Sequence, residues 1–450
     1  MTEPGSAKLA ILGTGREGRA AWRYLRDLHP GRTLTLFDES PPAPEFVSRL
    51  SSLDRVHVGP FEEAGLEHFD LLVRSPGISP YRPFMRRAVA AGATVTSPSN
   101  LWFQAHRGVK TVCVTGTKGK STTSALIAHL LQSCGLRVRL AGNIGRPLLD
   151  CDDRDVDWWV VEVSSYQLVD LEAEPSVSVL LNLTPEHLDW HAGEENYRRD
   201  KLRLAVLAGR RPVVANAADP VLRAELANRG GVTWFNHRDG IRVEDRRLCD
   251  GAAALGLPAR PALPGRHNLS NIAAAFTVVR IVHGSLDQAI PAIGSFEPLP
   301  HRLQPLGQRD GVQFVNDSIS STPFATAAAL ETLAGEDVVL IVGGLDRGLD
   351  WTPYMGAFAE ALPRAVIGVP GNGPKVLEVM RAAGIRPVDG LHAAPDLASA
   401  VNLARSLCRR GGVVLLSPGA PSFPEFRDFR DRGRQFAGLC GLELAESDAY

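Results

Sequence analysis

The chain has 450 residues, 44% of them hydrophobic and 22% charged. At about 150 residues per domain this suits three globular domains, and it excludes a collagen, a disordered tail or a small disulfide scaffold. Lys plus Arg number 49 against 50 Asp plus Glu, a formal charge of −1, so no global field draws the chain to nucleic acid or anionic lipid, and an anionic ligand has to be caught by local groups. Cys113, Cys134, Cys151, Cys249, Cys408 and Cys440 form neither a CxxC pair nor a metal-ligand rhythm, so reduced thiols are expected, without disulfides or a structural zinc. Met1–Ala10 lacks a secretion-signal pattern, and no stretch reaches the roughly 18 apolar residues of a bilayer span. A cytoplasmic protein that spans no membrane is expected.

In chain order, short β-branched or Leu-rich runs at 8–12, 33–37, 70–73, 111–114, 157–163, 176–181, 338–342, 365–369 and 413–416 alternate with amphipathic stretches. Most end in Gly, Ser, Asp or Pro, as buried parallel strands do before crossover helices, which predicts an α/β fold throughout. Junctions at Ser97-Pro98-Ser99-Asn100 with Arg107-Gly108, and at Phe296-Glu297-Pro298-Leu299-Pro300-His301, divide the chain into 1–108, 109–297 and 298–450.

Gly13-x-Gly15-x-x-Gly18 follows the first predicted strand and Asp38 ends the second, the arrangement of a dinucleotide fingerprint. The segment reads as a nicotinamide cofactor site, as a cradle for another pyrophosphate such as that of a UDP-sugar, or as tight helix–strand packing alone. Thr115-Gly116-Thr117-Lys118-Gly119-Lys120-Ser121-Thr122 follows the strand at 111–114 and opens a helical run over 124–133 that Gly135 stops. The strict GxxxxGK[ST] spacing is not met, because position 114 is Val. Even so, glycines that turn amides onto phosphate oxygens, Lys120 for the β/γ-phosphates and Ser121 for Mg²⁺ make an ATP site. Glu162, at the C-terminal end of a predicted strand, stands where a carboxylate would meet that metal. His187 and His191 are four apart, but no Glu follows His187, so zinc is not expected. Lys201 alone reads as a solvated helix lysine.

Taken in order, GTKGKST, VEVSSYQL, NLTPEHLD, YRRDKLRL, GRHNLSN, LPHRLQ, VNDS, GGLDRG and LSPGAPSFPEF make the whole chain resemble the Mur ligases, ATP-dependent amide-forming enzymes of peptidoglycan precursor synthesis, and most of all the members that add glutamate to UDP-N-acetylmuramoyl-L-alanine. The resemblance implies three domains: an N-terminal Rossmann-like domain for the UDP moiety, a central P-loop ATPase with a mostly parallel sheet, and a C-terminal Rossmann-like domain for the amino acid. It implies ATP contacts at Gly116, Thr117, Lys118, Gly119, Lys120, Ser121, Thr122, Asn268, Asn271, Arg302 and Asp317. Ser121, Glu162, His187 and Lys201 would serve Mg²⁺, with Lys201 falling where the family carries a lysine carboxylated by CO₂; Lys120, Glu162, His187 and Lys201 are the implied catalytic set. Gly13, Thr14, Gly15, Arg16, Gly18, Asp38, Ser75, Gly77 and Asn143 would meet the UDP substrate.

Ser321, Arg347, Ser422 and Phe429 fall on the glutamate-binding positions, where the chain departs from the commoner D-glutamate pattern. Ile319-Ser320-Ser321 follows VNDS where a lysine and then a threonine are usual, and Arg347 replaces a lysine, exchanging a point charge for a planar fork. Accepting the opposite enantiomer requires one carboxylate to be re-anchored, so these changes resemble the branch that adds L-glutamate, with D-glutamate addition as the alternative reading. A monomer is expected, with a separate glutamate epimerase as functional partner if L-glutamate is used. A nicotinamide-dependent oxidoreductase and a catalytically silent nucleotide-binding regulator are the competing classes.

Overall fold

The computed structural model describes residues 8–444 except 154, 246, 258–262 and 264. The chain divides into two compact units, 1–258 with 270–294, and 259–269 with 295–449. Among the described residues no helix is long and apolar enough to cross a membrane.

The first unit begins with β1 (Leu9–Leu12), β2 (Leu34–Asp38), β3 (Asp54–Val58), β4 (Leu71–Arg74) and β5 (Thr94–Thr96), a wholly parallel sheet in the order β3-β2-β1-β4-β5. The chain builds outward from β1 to β3 and then crosses to β4, so the strand order reverses between β1 and β4. Loops on either side of that reversal open a crevice at the carboxyl ends. A second parallel sheet holds β6 (Thr111–Thr115), β7 (Val138–Gly142), β8 (Trp158–Glu162), β9 (Val177–Leu180), β10 (Val213–Asn216) and β11 (Val232–Phe235), in the order β11-β10-β9-β6-β8-β7. A small antiparallel sheet, β12 (Ile241–Glu244), β13 (Arg247–Asp250) and β14 (Ala253–Ala254), follows it.

The second unit carries β15 (Gln304–Arg309), β16 (Val312–Asn316), β17 (Val338–Val342), β18 (Ala365–Gly368), β19 (Leu391–Ala393) and β20 (Val413–Leu416), in the order β15-β16-β20-β17-β18-β19, with only β15 antiparallel. Both faces of this sheet are covered, which is why its central strands read as unbroken apolar runs. Val338, Leu340 and Val342 of β17 pack with Trp351, Phe358 and Met380, whereas Val339 and Ile341 pack on the opposite face with Val401 and Phe436.

All nine predicted apolar runs are strands. The sequence reading passed over the other eleven strands among the described residues; two of them, β3 and β15, carry charge or glycine at half-exposed positions and so give no continuous apolar run. The helix after the phosphate loop, α2 (Lys120–Ser133), starts four residues before its predicted beginning, because Gly119 in the left-handed region (φ +82°) turns the chain directly into it.

The three glycines between β1 and α1 (Arg16–Leu28) have different duties. Gly13 adopts φ +85°, and a Cβ on Gly18 would lie 1.8 Å from the Gly13 carbonyl oxygen, so these two permit the turn and the helix–strand contact. A Cβ on Gly15 would meet nothing within 4 Å, leaving that backbone open to a ligand. We predict that Gly18→Ala lowers stability by about 1–3 kcal/mol through overpacking, measured by denaturant unfolding, while Gly15→Ala leaves stability nearly unchanged and weakens binding of the crevice ligand.

Candidate active site

The phosphate loop is held from behind by the segment after β9. The Thr117 amide donates to the Asn182 carbonyl (3.0 Å), the Lys118 amide to Asn182 Oδ1 (2.8 Å), and Asn182 Nδ2 returns a bond to the Lys118 carbonyl (3.0 Å). Thr117 Oγ1 lies 2.7 Å from the Tyr197 hydroxyl and donates to the Thr184 carbonyl (2.9 Å), and Lys118 Nζ pairs with Glu186 (2.8 Å). Thr117 and Lys118 therefore shape the loop. The helical ladder opens with the Thr123 amide bonding the Gly119 carbonyl, which places Ser121 and Thr122 in the first turn of α2, where an anion is favoured. Lys120 Nζ arches back over the loop to the carbonyls of Gly116 and Thr117, each at 2.9 Å. Asn271, on α4 (Arg266–His283), closes on Gly119, where an added Cβ would lie 2.6 Å from Asn271 Oδ1.

Glu162 ends β8 at 1% exposure; its Oε1 accepts from Asn143 Nδ2 (2.6 Å), and its buried Oε2 has no hydrogen-bond partner. An unpaired buried carboxylate oxygen is costly unless something cationic meets it, which fits a metal ligand. Lys201, on α3 (Glu194–Leu207) at 3% exposure, donates to the Gly116 carbonyl (2.6 Å). Burial, reinforced by the Lys120 charge, pushes its pKa well below the ordinary lysine value. The neutral amine is the nucleophilic form that CO₂ carboxylation requires. His187 adopts φ +57° and its ring lies 5.0 Å from that of Tyr166. His191 is instead an internal brace, its Nδ1 2.7 Å from Asp200 and its Nε2 3.0 Å from Ser165 Oγ. Among the described residues no three His, Cys, Asp or Glu side chains gather as a metal cage.

At the first crevice, Asp38 Oδ2 accepts from the Thr14 amide (2.6 Å) and Thr14 Oγ1 (2.7 Å), bracing the glycine turn, and Ser75 Oγ donates to the Gly13 carbonyl (3.2 Å). Arg16 reaches the Gly145 carbonyl, two residues beyond Asn143. Gly77 lies in the opposing turn with open space where a Cβ would be.

In the second unit, Asn268 is buried, as is Asp317, whose carboxylate accepts from Ser417 Oγ (2.7 Å) and the Leu303 amide (3.1 Å). Burial outweighs those bonds and the nearby Arg302 and Arg432 charges, and its pKa rises to about 6. Arg347 is exposed and donates to the Ser321 carbonyl (3.0 Å), so two of the glutamate-position residues meet. Ser422 is buried, and Phe429 heads α5 (Phe429–Cys440), its ring 5.6 Å from His301. Sequence reasoning missed Arg432, which is 3% exposed. It donates to Ser318 Oγ (3.1 Å) and to the carbonyls of Ser318 (2.8 Å) and Ala420 (2.9 Å), fixing the loops that carry Ser321 and Ser422. Burial lowers its pKa to about 10.

A glycine-rich loop that opens a helix beside a buried carboxylate and a buried lysine, at the carboxyl ends of a parallel sheet, is the arrangement of a nucleotide-dependent phosphoryl-transfer enzyme of the α/β class. Family models for the Mur ligase MurD-like N-terminal domain, the Mur ligase middle domain and the Mur ligase glutamate ligase domain match residues 7–97, 114–279 and 301–419. The UDP-N-acetylmuramoyl-L-alanine--L-glutamate ligase of Xanthomonas oryzae pv. oryzae (strain MAFF 311018) is 43% identical, covering 98% of this chain and 96% of its own. The protein of that name from Micromonospora sp. (strain ATCC 39149 / NRRL 15099 / SCC 1413) is 39% identical over 95% of each chain. The fold matches MurF ligase from Thermotoga maritima in complex with ADP (TM-score 0.62, 16% identity, 98% of this chain and 96% of that one). It also matches UDP-N-acetylmuramate-alanine ligase MurC from the same organism (TM-score 0.60, 15% identity, 97% and 99%). This chain belongs to the Mur ligase family of ATP-dependent ligases. The nicotinamide-dependent oxidoreductase reading of Gly13–Gly18 finds no support among these relatives and is set aside.

Because the Asp317 carboxyl is kept neutral by burial up to about pH 6, its favourable contribution is full below the ordinary carboxylate range and is lost as pH rises toward 6. We predict that Asp317→Asn flattens this part of the stability profile, so that wild type loses on the order of 2–3 kcal/mol more than the variant between about pH 4 and 7. Denaturant unfolding at a series of pH values measures it; equal slopes would contradict the burial argument.

Proposed function

We propose that this protein forms an amide between the alanyl carboxylate of UDP-N-acetylmuramoyl-L-alanine and the amine of L-glutamate, converting ATP to ADP and phosphate. One observation carries this reading: the phosphate loop, the Glu162 carboxylate with one oxygen unpaired and the buried Lys201 amine converge at the carboxyl ends of β6 and β8. They do so in a chain 43% identical over nearly its full length to a ligase of that name. The proposed organisation is a UDP-substrate domain at 1–108, an ATP domain at 109–297 and an amino-acid domain at 298–450.

A free carboxylate is a poor acyl donor, because its leaving group would be oxide. Transfer of the ATP γ-phosphoryl to it makes an acyl phosphate, which the unprotonated amine attacks to give a tetrahedral intermediate; phosphate leaves and the amide remains. The protein's share is placement and electrostatics. Lys120 and the amides at the start of α2 hold the phosphate oxygens, and Gly13–Gly18, Ser75 and Gly77 line the crevice for the UDP end. Ser121, Glu162, His187 and Lys201 as its carbamate would hold Mg²⁺, which supplies positive charge against the phosphates. Lys201 gains its carbamate when the neutral amine bonds the CO₂ carbon and releases a proton, exchanging a poorly tolerated buried cation for an anionic oxygen ligand. Arg347 and Ser321 meet one glutamate carboxylate, and Ser422 and Phe429 the other. The protein acts as a monomer, and a separate epimerase acts on its product.

Phosphate release with ATP, Mg²⁺ and UDP-N-acetylmuramoyl-L-alanine, run with L-glutamate, D-glutamate or no amino acid and with product masses recorded, tests the reading. Turnover confined to L-glutamate is expected, and preference for D-glutamate would overturn the stereochemical assignment. Lys120→Ala and Glu162→Ala each lower turnover by about 10²–10³-fold or more. Arg347→Ala raises the KM for glutamate by about 10–100-fold, the worth of a charge-assisted bond, while the KM for ATP holds; an unchanged glutamate dependence would remove Arg347 from the pocket.

A further inference from the structure

The residues between His187 and α3 were assigned no role from sequence. Leu188–His191 forms a single helical turn, bounded by His187 (φ +57°) and Ala192 (φ +55°), two non-glycine residues in the left-handed region. Such backbone persists where surrounding contacts over-determine it, and here they centre on Trp190. Its indole Nε1 donates to the Gly77 carbonyl (2.9 Å), and its own carbonyl accepts from Ser79 Oγ (2.5 Å). Its ring stacks on Tyr166 with centroids 4.3 Å apart, and Tyr166 in turn lies against His187.

Trp190 is half of a clamp; Arg74, fully buried at the end of β4, is the other half. Arg74 Nη1 points at the carbonyls of Ser75 (3.4 Å), Pro76 (3.4 Å) and Ile78 (2.6 Å), and Nη2 donates to the Tyr166 carbonyl (3.0 Å). The guanidinium also sits 5.8 Å from the Trp190 ring centroid. Every carbonyl of the 75–78 turn is thus drawn toward Arg74 or Trp190. The Ser75 and Ile78 amides bond within the protein, to the Leu12 and Ser75 carbonyls, and Pro76 has no amide hydrogen. The Gly77 amide has no hydrogen-bond partner among the described residues, and the space around its Cα is open.

We propose that Trp190 is a positioning residue for the UDP substrate: by fixing the Gly77 carbonyl on the protein side, it presents the Gly77 amide to an anionic oxygen of that substrate. The ligand class is a phosphate or carboxylate oxygen meeting a backbone donor. The inference rests on the reading that the β1/β4 crevice takes the UDP substrate. Because the indole bond touches only this turn, its loss acts on one substrate.

The test is steady-state kinetics of Trp190→Phe, which keeps an aromatic ring for Tyr166 and removes the N–H donor. The KM for UDP-N-acetylmuramoyl-L-alanine rises by about five- to tenfold, the worth of one hydrogen bond, while kcat and the KM values for ATP and glutamate hold. Ser79→Ala, which frees the Trp190 carbonyl, shifts the same KM in the same direction and serves alone if Trp190→Phe does not fold. A merely structural Trp190 would lower the active fraction, and so kcat, without moving any KM; that result, or an unchanged KM in both variants, overturns the proposal while wild-type turnover leaves the functional reading standing. Wild-type protein inert toward UDP-N-acetylmuramoyl-L-alanine with either glutamate would overturn that reading and this inference with it.

Discussion

The working end of the first unit depends on the paired bonds between the Lys118 backbone and the Asn182 side chain. A loop that must turn several amides toward an anion cannot satisfy them with its own carbonyls, so its shape has to be imposed from outside. Asn182 does this with one amide group, accepting from and donating to the same residue, while Thr117 turns its hydroxyl inward to Tyr197 and Thr184. Those bonds engage Thr117 and Lys118 and leave the approach to an anion to the first turn of α2. The positive end of the helix and the Lys120 ammonium then act in the same direction.

The same loop makes Lys201 unusual. Its amine is buried against the loop's own carbonyl at Gly116, close enough to Lys120 for the two charges to repel. Burial and the neighbouring Lys120 charge both disfavour the ammonium form of Lys201 and push its pKa well below the ordinary lysine value. Glu162 presents the complementary imbalance, with one oxygen engaged by Asn143 and the other left open. An excess of donors on one wall and a bare acceptor on the other make the site chemically unfinished without its small charged ligands.

The sequence displayed those parts of the fold that are encoded locally. The central strands are apolar through their whole length because both faces are covered, and the glycine turns carry fixed spacings, so β1, β6, β17 and β20 and both phosphate-type loops could be read directly. Asn182, Tyr197 and Arg432 could not, because their partners lie 64, 80 and up to 114 residues away and polar residues at those positions look like ordinary surface. Lys201 alone read as a solvated lysine; only the ordered motifs singled it out, and the structure shows that it is buried. His191, which resembled half of a metal pair, belongs to the Asp200–Ser165 network.

The way the two units share the chain bears on how the protein is made. The first unit runs to 258, the chain contributes 259–269 to the second, and 270–294 returns to the first with most of α4. Ile272 through Phe276 on that helix are fully buried, and Asn271 closes against Gly119. A nascent chain emerging from the ribosome therefore has its glycine-rich loop at 115–122 exposed long before the helix that completes its surroundings is available. The first unit cannot reach its finished packing until synthesis has passed residue 294, and during that interval its unfinished apolar surface is a point at which a chaperone or a protease would act.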